Sequence, residues 1–328
     1  MVRVGTSGWH YPTGRGTWNG IFYPRRRPKG FDELTFYAEH FNTVEVNSTF
    51  YGQPRADVSR GWSARTPPGF EFSVKLYQKF THPRMFGERV KDSLPQDARG
   101  QPDLLGELAR PNAADLDEFR RGIDPLASAG KLGALLAQFP PSFRDDSASR
   151  GYLAHLLRAL AGYPVAVELR HRSWSDGLAG TLSLLNEFGA AWAQIDEPKF
   201  SLSIRQNYLP NVKGFYYMRL HGRNAEQWWR HENAEDRYNY LYSAGELKEF
   251  SETAEAARRL VNKVYLYTNN HYSAKAVANA AMIKQQLGDP IEGDYPAEFI
   301  ERYPGIAGAV KSVATSLFSP TTPSRTSS

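Results

Sequence analysis

Eight short runs rich in β-branched and aromatic residues alternate with segments whose apolar residues recur every three to four positions, and this alternation constrains the fold more than any other feature. The runs are VRVGTS from Val2, TVEVN from Thr43, FEFSVKLY from Phe70, LGALLAQF from Leu132, VAVELRH from Val165, AAWAQID from Ala190, GFYYMRLH from Gly214 and KVYLYTNN from Lys263. Helical patterns lie between them, for example over Asp32 to His40, Tyr152 to Leu160 and Glu246 to Leu260. Strand, crossover helix and parallel strand repeated in this way predict an α/β fold, a closed (β/α)8 TIM barrel. A chain of 328 residues suits a single barrel domain with insertions. The expected boundaries are a barrel over 1–290, a C-terminal extension over 291–318 with a short helical pattern from Gly305, and a polar, Pro-containing, disordered tail over 319–328.

Period-two alternation within the strands sorts their residues into a face against the helices and a face toward the barrel interior. Val44 and Val46 point out, so Thr43, Glu45 and Asn47 point in. Phe72, Val74 and Leu76 leave Ser73, Lys75 and Tyr77 inside, and Val165, Val167 and Leu169 leave Ala166, Glu168 and Arg170 inside. Gln194 shares a face with Asp196, Tyr217 with Arg219 and His221, and Gln138 closes the fourth strand. Asn269 and Asn270 cannot both point in. Each unpaired buried ion costs several kcal/mol, against a net domain stability of about 5–15 kcal/mol. Glu45, Lys75, Glu168, Arg170, Asp196 and Arg219 are therefore expected to meet one another, water or a ligand, near the C-terminal strand ends where barrel enzymes build their sites.

The absence of Cys excludes thiolate catalysis, Fe–S clusters, Cys-ligated zinc and disulfides. Met1 to Gly8 is already strand-like, and no apolar run approaches the roughly 18 residues of a membrane span, so a cytoplasmic protein without membrane contact is expected. The net charge of +5 favours anionic partners weakly, with a local cluster at Arg25, Arg26, Arg27 and Lys29 beside Trp18, Phe22 and Tyr23. Two long connections, Thr81 to Pro111 and the segment holding Trp228, Trp229, Tyr238, Tyr240 and Tyr242, are expected to cover the barrel mouth. Gly5 and Gly8 flank Ser7 without a GxSxG elbow, and neither a dinucleotide fingerprint nor a P-loop occurs.

The stretches GTSGWHYP (5–12), WNGIFYP (18–24), FNTVEVNSTFY (41–51), FSVKLYQKFTHPR (72–84), AQFPPSF (137–143), VELRHRSW (167–174), MRLHGR (218–223) and TNNH (268–271) resemble those of the YecE-like family, a domain of unknown function. They run through nearly the whole chain. The resemblance implies a TIM-type barrel and no particular reaction. Carried over position by position, it implies roles for Glu45, Asn47, Lys75, His82, Gln138, Glu168, Arg170, His171, Trp174, Arg219, His221 and Asn269. Thr268 departs from the pattern, standing where many members carry Phe.

The expected chemistry is acid–base catalysis, hydrolysis included, on a small anionic substrate containing sugar or phosphate. Glu45 and Glu168 form the acid–base pair, His221 carries a proton, and Lys75 serves as a second cation or an imine-forming amine. Asn47, Gln138, Arg170, His171, Trp174, Arg219, Asn269, His82 and Trp9 are the expected substrate contacts, Arg170 and Arg219 clamping the anion. No cofactor is clearly implied. The alternative is a divalent metal held by Glu45, Glu168, Asp196 and His221, with His171 and His271 as further ligand types. That would suit a metal-dependent nuclease, or a nucleic-acid-binding protein using the Arg25 to Lys29 cluster and the aromatic segment. Glycoside hydrolysis is a third expectation and requires open space between two carboxyls.

Overall fold

In a computed structural model, which describes residues 1–94, 102–205, 209–229 and 235–313, nine parallel strands form a nearly closed barrel ringed by helices. They are β1 (Val2–Ser7), β2 (Thr43–Val46), β3 (Glu71–Lys75), β4 (Leu132–Gln138), β5 (Val165–Glu168), β6 (Ala191–Trp192), β7 (Gln194–Asp196), β8 (Phe215–Leu220) and β9 (Lys263–Thr268). The hydrogen-bonded order is β6-β5-β4-β3-β2-β1-β9-β8-β7. The eight expected strands become nine because the sixth breaks at Ala193. Its first piece pairs with β5 and its second with β8, so one stave links both edges.

The helices follow local chemistry. Asp32 caps Glu33–His40 by accepting from the Thr35 N–H at 2.8 Å, and Ser243 with Glu246 forms a reciprocal capping box at the start of Ala244–Ala257. The predicted helix over Tyr152 to Leu160 is realised as Ser147–Ala159, which starts five residues earlier and has Leu160 as its C-cap. None of the helices among the described residues is long and apolar enough to cross a membrane.

The barrel interior is layered. At the N-terminal end Glu71 pairs with Arg3 at 3.1 Å and Lys263 at 2.8 Å, and accepts from the Tyr265 hydroxyl. Above it, Phe215, Tyr217, Tyr265 and Tyr267 fill the space left by Ala134, Ala166, Ala191 and Ala193 on the opposite strands. Large side chains from β8 and β9 thus meet small ones from β4 to β6, and all of these residues are buried. Tyr267 shares hydrogen bonds with Thr43 at 2.7 Å and Ser73 at 2.9 Å, as the inward positions of β2 and β3 require. The layer above this plug is charged.

Three sequence expectations are corrected here. Asp196 does not enter the barrel: β7 pairs Ile195 with Arg219 and Asp196 with Leu220, so the register puts Ile195 inside and Asp196 against the helix layer. There its carboxylate accepts from Arg223 at 2.8 and 3.1 Å and from Tyr242 at 2.7 Å. Tyr77 follows the end of β3 and packs outward against Phe80 and Phe86. Among the described residues the helical pattern from Gly305 is realised as a 3-10 turn at Pro304–Ile306, followed by a strand, Lys311–Val313, that pairs with Asp294–Pro296. Gly305 and Gly308 weaken any longer helix there. The short helix of this extension is Ala297–Arg302, and Tyr295 and Phe299 are buried against Phe22. The expected tail lies outside the described residues.

Candidate functional site

Arg219, near the end of β8 and only 1% exposed, organises the charged layer. Its Nη2 and Nε donate to the two Glu45 oxygens at 2.7 and 2.9 Å, a bidentate fork. Its Nη1 donates to Glu168 Oε2 at 2.5 Å and Gln138 Oε1 at 3.3 Å. Glu45 also accepts from the Ser7 hydroxyl and the Tyr217 hydroxyl, each at 2.7 Å. Glu168 accepts from Arg170 Nε at 2.7 Å, and Arg170 reaches Glu197 at 3.4 Å. Both Glu45 and Glu168 are 0% exposed. Burial pushes their carboxyls up, but the charge and hydrogen bonds of Arg219 with the Ser7 and Tyr217 hydroxyls together outweigh it for Glu45, and the charges of Arg219 and Arg170 do so for Glu168; both net shifts are downward. Glu197 differs: burial raises its carboxyl above the ordinary range.

His221 sits on this network with Nε2 3.3 Å from donors on both Arg170 and Arg219, and Nδ1 2.7 Å from the Asn269 carboxamide. Guanidinium groups only donate and the amide nitrogen of Asn269 faces Nδ1, so donors meet both ring nitrogens at hydrogen-bond distance and the ring is neutral. Burial first, then the charge of Arg219, holds the imidazole down at about 3.

Above the network opens a cavity of about 280 Å³, lined by Lys75, Arg219, Asn47, Gln138 and Asn269 at its base and by Tyr11, Tyr51, Tyr238, His271 and Glu235 on its walls. Tyr11 stacks on His271 with ring centres 4.4 Å apart, and Tyr238 adds a tilted contact with His271 at 4.8 Å. Two local devices place these rings. Gly8 has φ of +86° and a Cβ there would meet the Tyr11 hydroxyl at 2.7 Å, so the turn after β1 needs glycine to seat Tyr11. After β9, Ser273 and Ala274 both adopt left-handed φ, 53° and 62°, strain of about 1–3 kcal/mol each that fixes the turn carrying His271.

Lys75 is distinct within this set. Its Nζ lies 4.1 Å from the centre of the Phe50 ring. Among the described residues no carboxylate lies within ion-pair reach of it, although four carboxylates stand in the surrounding layer or wall. Burial, then the charge of Arg219, pushes its amine down to about 7. His82, edge-on to Phe50 at 5.0 Å, is pushed down to about 3 by burial and by Lys75.

The structure therefore brings together Glu45, Glu168, Arg170, Arg219, His221, Gln138, Asn269, Asn47 and Lys75, with His82 beside Lys75. It separates the others. Trp174 is fully buried, stacks on Phe143 at 5.5 Å and donates its indole N–H to the Phe143 carbonyl at 2.9 Å, so it packs the core and cannot touch a ligand. His171 follows the end of β5 and turns toward Ser173, 2.9 Å away, with Arg144, Arg172 and Asp176 as its charged surroundings. Trp9 packs edge-on against Trp62 at 5.8 Å. The cavity position foreseen for Trp9 is taken by Tyr11, two residues on. Tyr51, Glu235 and Tyr238 complete the wall; Tyr11 and Tyr51 fall within the quoted motifs but off the strand alternation that selected candidates. Trp18, Phe22 and Tyr23 are buried, so the aromatics behind exposed Arg25, Arg26 and Lys29 are not available to stack on bases. Of the second long connection, Tyr242 is buried on Asp196, and the side chain of Trp229 lies outside the described residues.

The residues proposed for a metal do not fit one. Glu45 and Glu168 both spend oxygens on Arg219, whose charge would face any cation between them, and Asp196 lies on the other side of the sheet. Among the described residues no group of three or more His, Asp or Glu side chains is arranged to hold an ion.

The family model described as "Protein of unknown function DUF72" matches residues 3–298. The chain belongs to the DUF72 family. It is 26% identical over 310 residues to the UPF0759 protein YunF of Bacillus subtilis (strain 168), covering 91% of this chain and 99% of that one. It is 27% identical over 172 residues to the UPF0759 protein YecE of Escherichia coli (strain K12), covering 52% of this chain and 49% of YecE. A crystal structure of a DUF72 family protein from Thermotoga maritima MSB8 aligns with a TM-score of 0.71 at 32% identity, covering 88% of this chain and all of that one (100%). One from Enterococcus faecalis V583 aligns with a TM-score of 0.70 at 22% identity, covering 88% and 96%. The DUF72 fold is thus the TIM-barrel-like architecture expected from the strand pattern.

Proposed function

We propose that this DUF72 protein is an enzyme that binds a small anionic, ring-bearing substrate, such as a sugar phosphate, at the C-terminal mouth of the barrel and acts on it by acid–base chemistry. The observation that carries the reading is Lys75: an amine lining the cavity with no carboxylate partner among the described residues, while its acidic neighbours Glu45 and Glu168 are saturated by Arg219 and Arg170. An anion entering the cavity supplies the missing countercharge. Asn47, Gln138 and Asn269 offer carboxamides for substrate hydroxyls, and Tyr11, Tyr238 and His271 offer flat faces for a ring.

The roles differ from the simplest expectation. Glu45 and Glu168 are fully buried and held ionised, so they orient Arg219 and fix the charge of the layer; neither is a proton donor at neutral pH. Lys75 is the group beside the cavity whose proton is exchangeable near pH 7. Glycoside hydrolysis by the two carboxylates is disfavoured because the Arg219 guanidinium occupies the space that substrate and water need.

The test is a thermal-shift screen of the full chain against sugar phosphates, inorganic phosphate and the corresponding neutral sugars, followed by calorimetric titration of the ligands that stabilise it. Stabilisation by the anions, lost in Lys75→Met, is the expected result. Equal stabilisation by the neutral sugars, or full anion binding by Lys75→Met, would refute the reading.

A further inference from the structure

We propose that Lys75 forms a covalent imine with a carbonyl group of the substrate, which makes the substrate class of this cavity phosphorylated or otherwise anionic aldehydes and ketones. The proposal rests on the anion-site reading above and extends it. An imine-forming lysine needs an accessible Nζ, a free lone pair and a neighbouring site for the rest of the carbonyl compound. Lys75 meets these structurally. It is the final residue of β3, in register with Leu136 of β4, and its carbonyl accepts from the Thr49 hydroxyl at 2.6 Å, which fixes its backbone. Its Nζ lies over the face of Phe50 instead of in an ion pair, and it lines a cavity with room beyond it.

The charged groups that act on the amine come from every side. Arg219 of β8 and Arg170 beyond β5 disfavour its protonation, Glu168 of β5 and Glu45 of β2 favour it, and His82, itself held neutral, lies close by. Burial and Arg219 win, and the amine sits near 7. About half of Lys75 is then neutral at pH 7, against roughly 1 in 2,500 for an exposed lysine titrating at about 10.4. The free-amine fraction is on the order of 1,000-fold larger than on the protein surface. The arrangement that leaves Lys75 without a carboxylate therefore also leaves it nucleophilic.

The step balances without any further reactant. The Nζ lone pair adds to the carbonyl carbon, the carbonyl oxygen becomes a hydroxyl, and water leaves with both hydrogens of the amine: RNH2 and O=CR2 give RN=CR2 and H2O. Neither oxidation nor reduction occurs. The product imine, once protonated, withdraws electrons from the adjacent carbon, the use to which enzymes put such adducts.

The experiment incubates the full chain at pH 7 with glycolaldehyde phosphate and sodium cyanoborohydride, which reduces an imine to a stable amine, and maps modified peptides by mass spectrometry. Lys75 is expected to carry the dominant adduct, in excess over exposed lysines such as Lys29 and Lys248, and saturating inorganic phosphate is expected to slow it. Lys75→Arg retains a cation, so it should keep the thermal stabilisation by phosphate while losing the adduct. Adducts spread over surface lysines with Lys75 unmodified, while phosphate still stabilises the chain, would overturn the imine and leave the anion site standing. An unmodified Lys75 with no response to phosphate would overturn both.

Discussion

Replacing Arg219 by Met tests whether this residue organises the barrel mouth. The guanidinium is 1% exposed and neutralises two carboxylates that are 0% exposed. Breaking a buried ion pair by deleting one partner costs about 3–5 kcal/mol, because a charge is left without compensation. Two pairs are broken here, but each carboxylate keeps part of its shell: Glu168 retains Arg170 at 2.7 Å, and Glu45 retains the hydroxyls of Ser7 and Tyr217 at 2.7 Å. The expected loss at pH 7 is therefore about 3–5 kcal/mol in total, a large fraction of an ordinary domain's stability of about 5–15 kcal/mol.

The loss has a defined pH dependence. In the native protein both carboxyls titrate below the ordinary 4.5, so the stability they confer is present above 4.5 and disappears as pH falls through the lowered values. In the variant, burial acts on Glu45 without Arg219, its carboxyl titrates above 4.5, and acid relieves the penalty by protonating it. The difference between the proteins should be greatest near neutrality and shrink by about pH 4. Urea denaturation followed by Trp fluorescence at both pH values measures it, and adding Glu45→Gln to Arg219→Met should recover part of the loss. A cost under about 1 kcal/mol at pH 7, or an equal cost at both pH values, would refute the reasoning.

Lys75 titrates lower in the folded chain, about 7, than the ordinary 10.5, so the unfolded chain binds more protons between these values; Lys75 contributes a rise in stability from pH 7 to 10, and Lys75→Met should abolish that slope in urea melts. Anion binding restores charge to the amine, so calorimetry near pH 8 in buffers of different ionisation enthalpy should show net proton uptake, absent in Lys75→Met. Trp174→Phe should cost about 1 kcal/mol through the lost hydrogen bond to Phe143 and leave phosphate affinity unchanged, as thermal shift and titration would show. Tyr11→Ala should weaken a ring-bearing phosphate several-fold relative to inorganic phosphate, since it removes the ring stacked on His271; equal weakening of both ligands would speak against stacking.

Period-two alternation placed Glu45, Ser73, Ala166, Glu168 and Arg219 correctly because a strand paired on both sides leaves its side chains two directions only. It failed where pairing ends or breaks. The interruption at Ala193 shifts the face of Asp196, and neither residue advertises a break. His171 and Tyr77 lie just past strand ends, where no alternation holds. Trp174 sits beside charged residues in sequence, yet its surroundings in space are Phe143 and the core. The wall of the cavity was harder to read for a different reason. Tyr11 and Glu235 reach it from turns, and Tyr51 from the end of the short helix Ser48–Tyr51; their placement depends on Gly8, which seats Tyr11, and on contacts hundreds of residues away in sequence, such as the Gly16 N–H donating to Glu235 at 3.2 Å. The saturation of Glu45 and Glu168, which changes their roles, follows from the span of one arginine across the barrel and has no local signature.

The most direct measurement is an NMR titration of the Lys75 side-chain amine, assigned by comparison with Lys75→Arg, in the presence and absence of inorganic phosphate. A midpoint near 7 that moves upward when phosphate is added is the predicted result. A midpoint near that of an ordinary lysine, about 10.4, unmoved by phosphate, would contradict the reading of this cavity as an anion site built around a free amine.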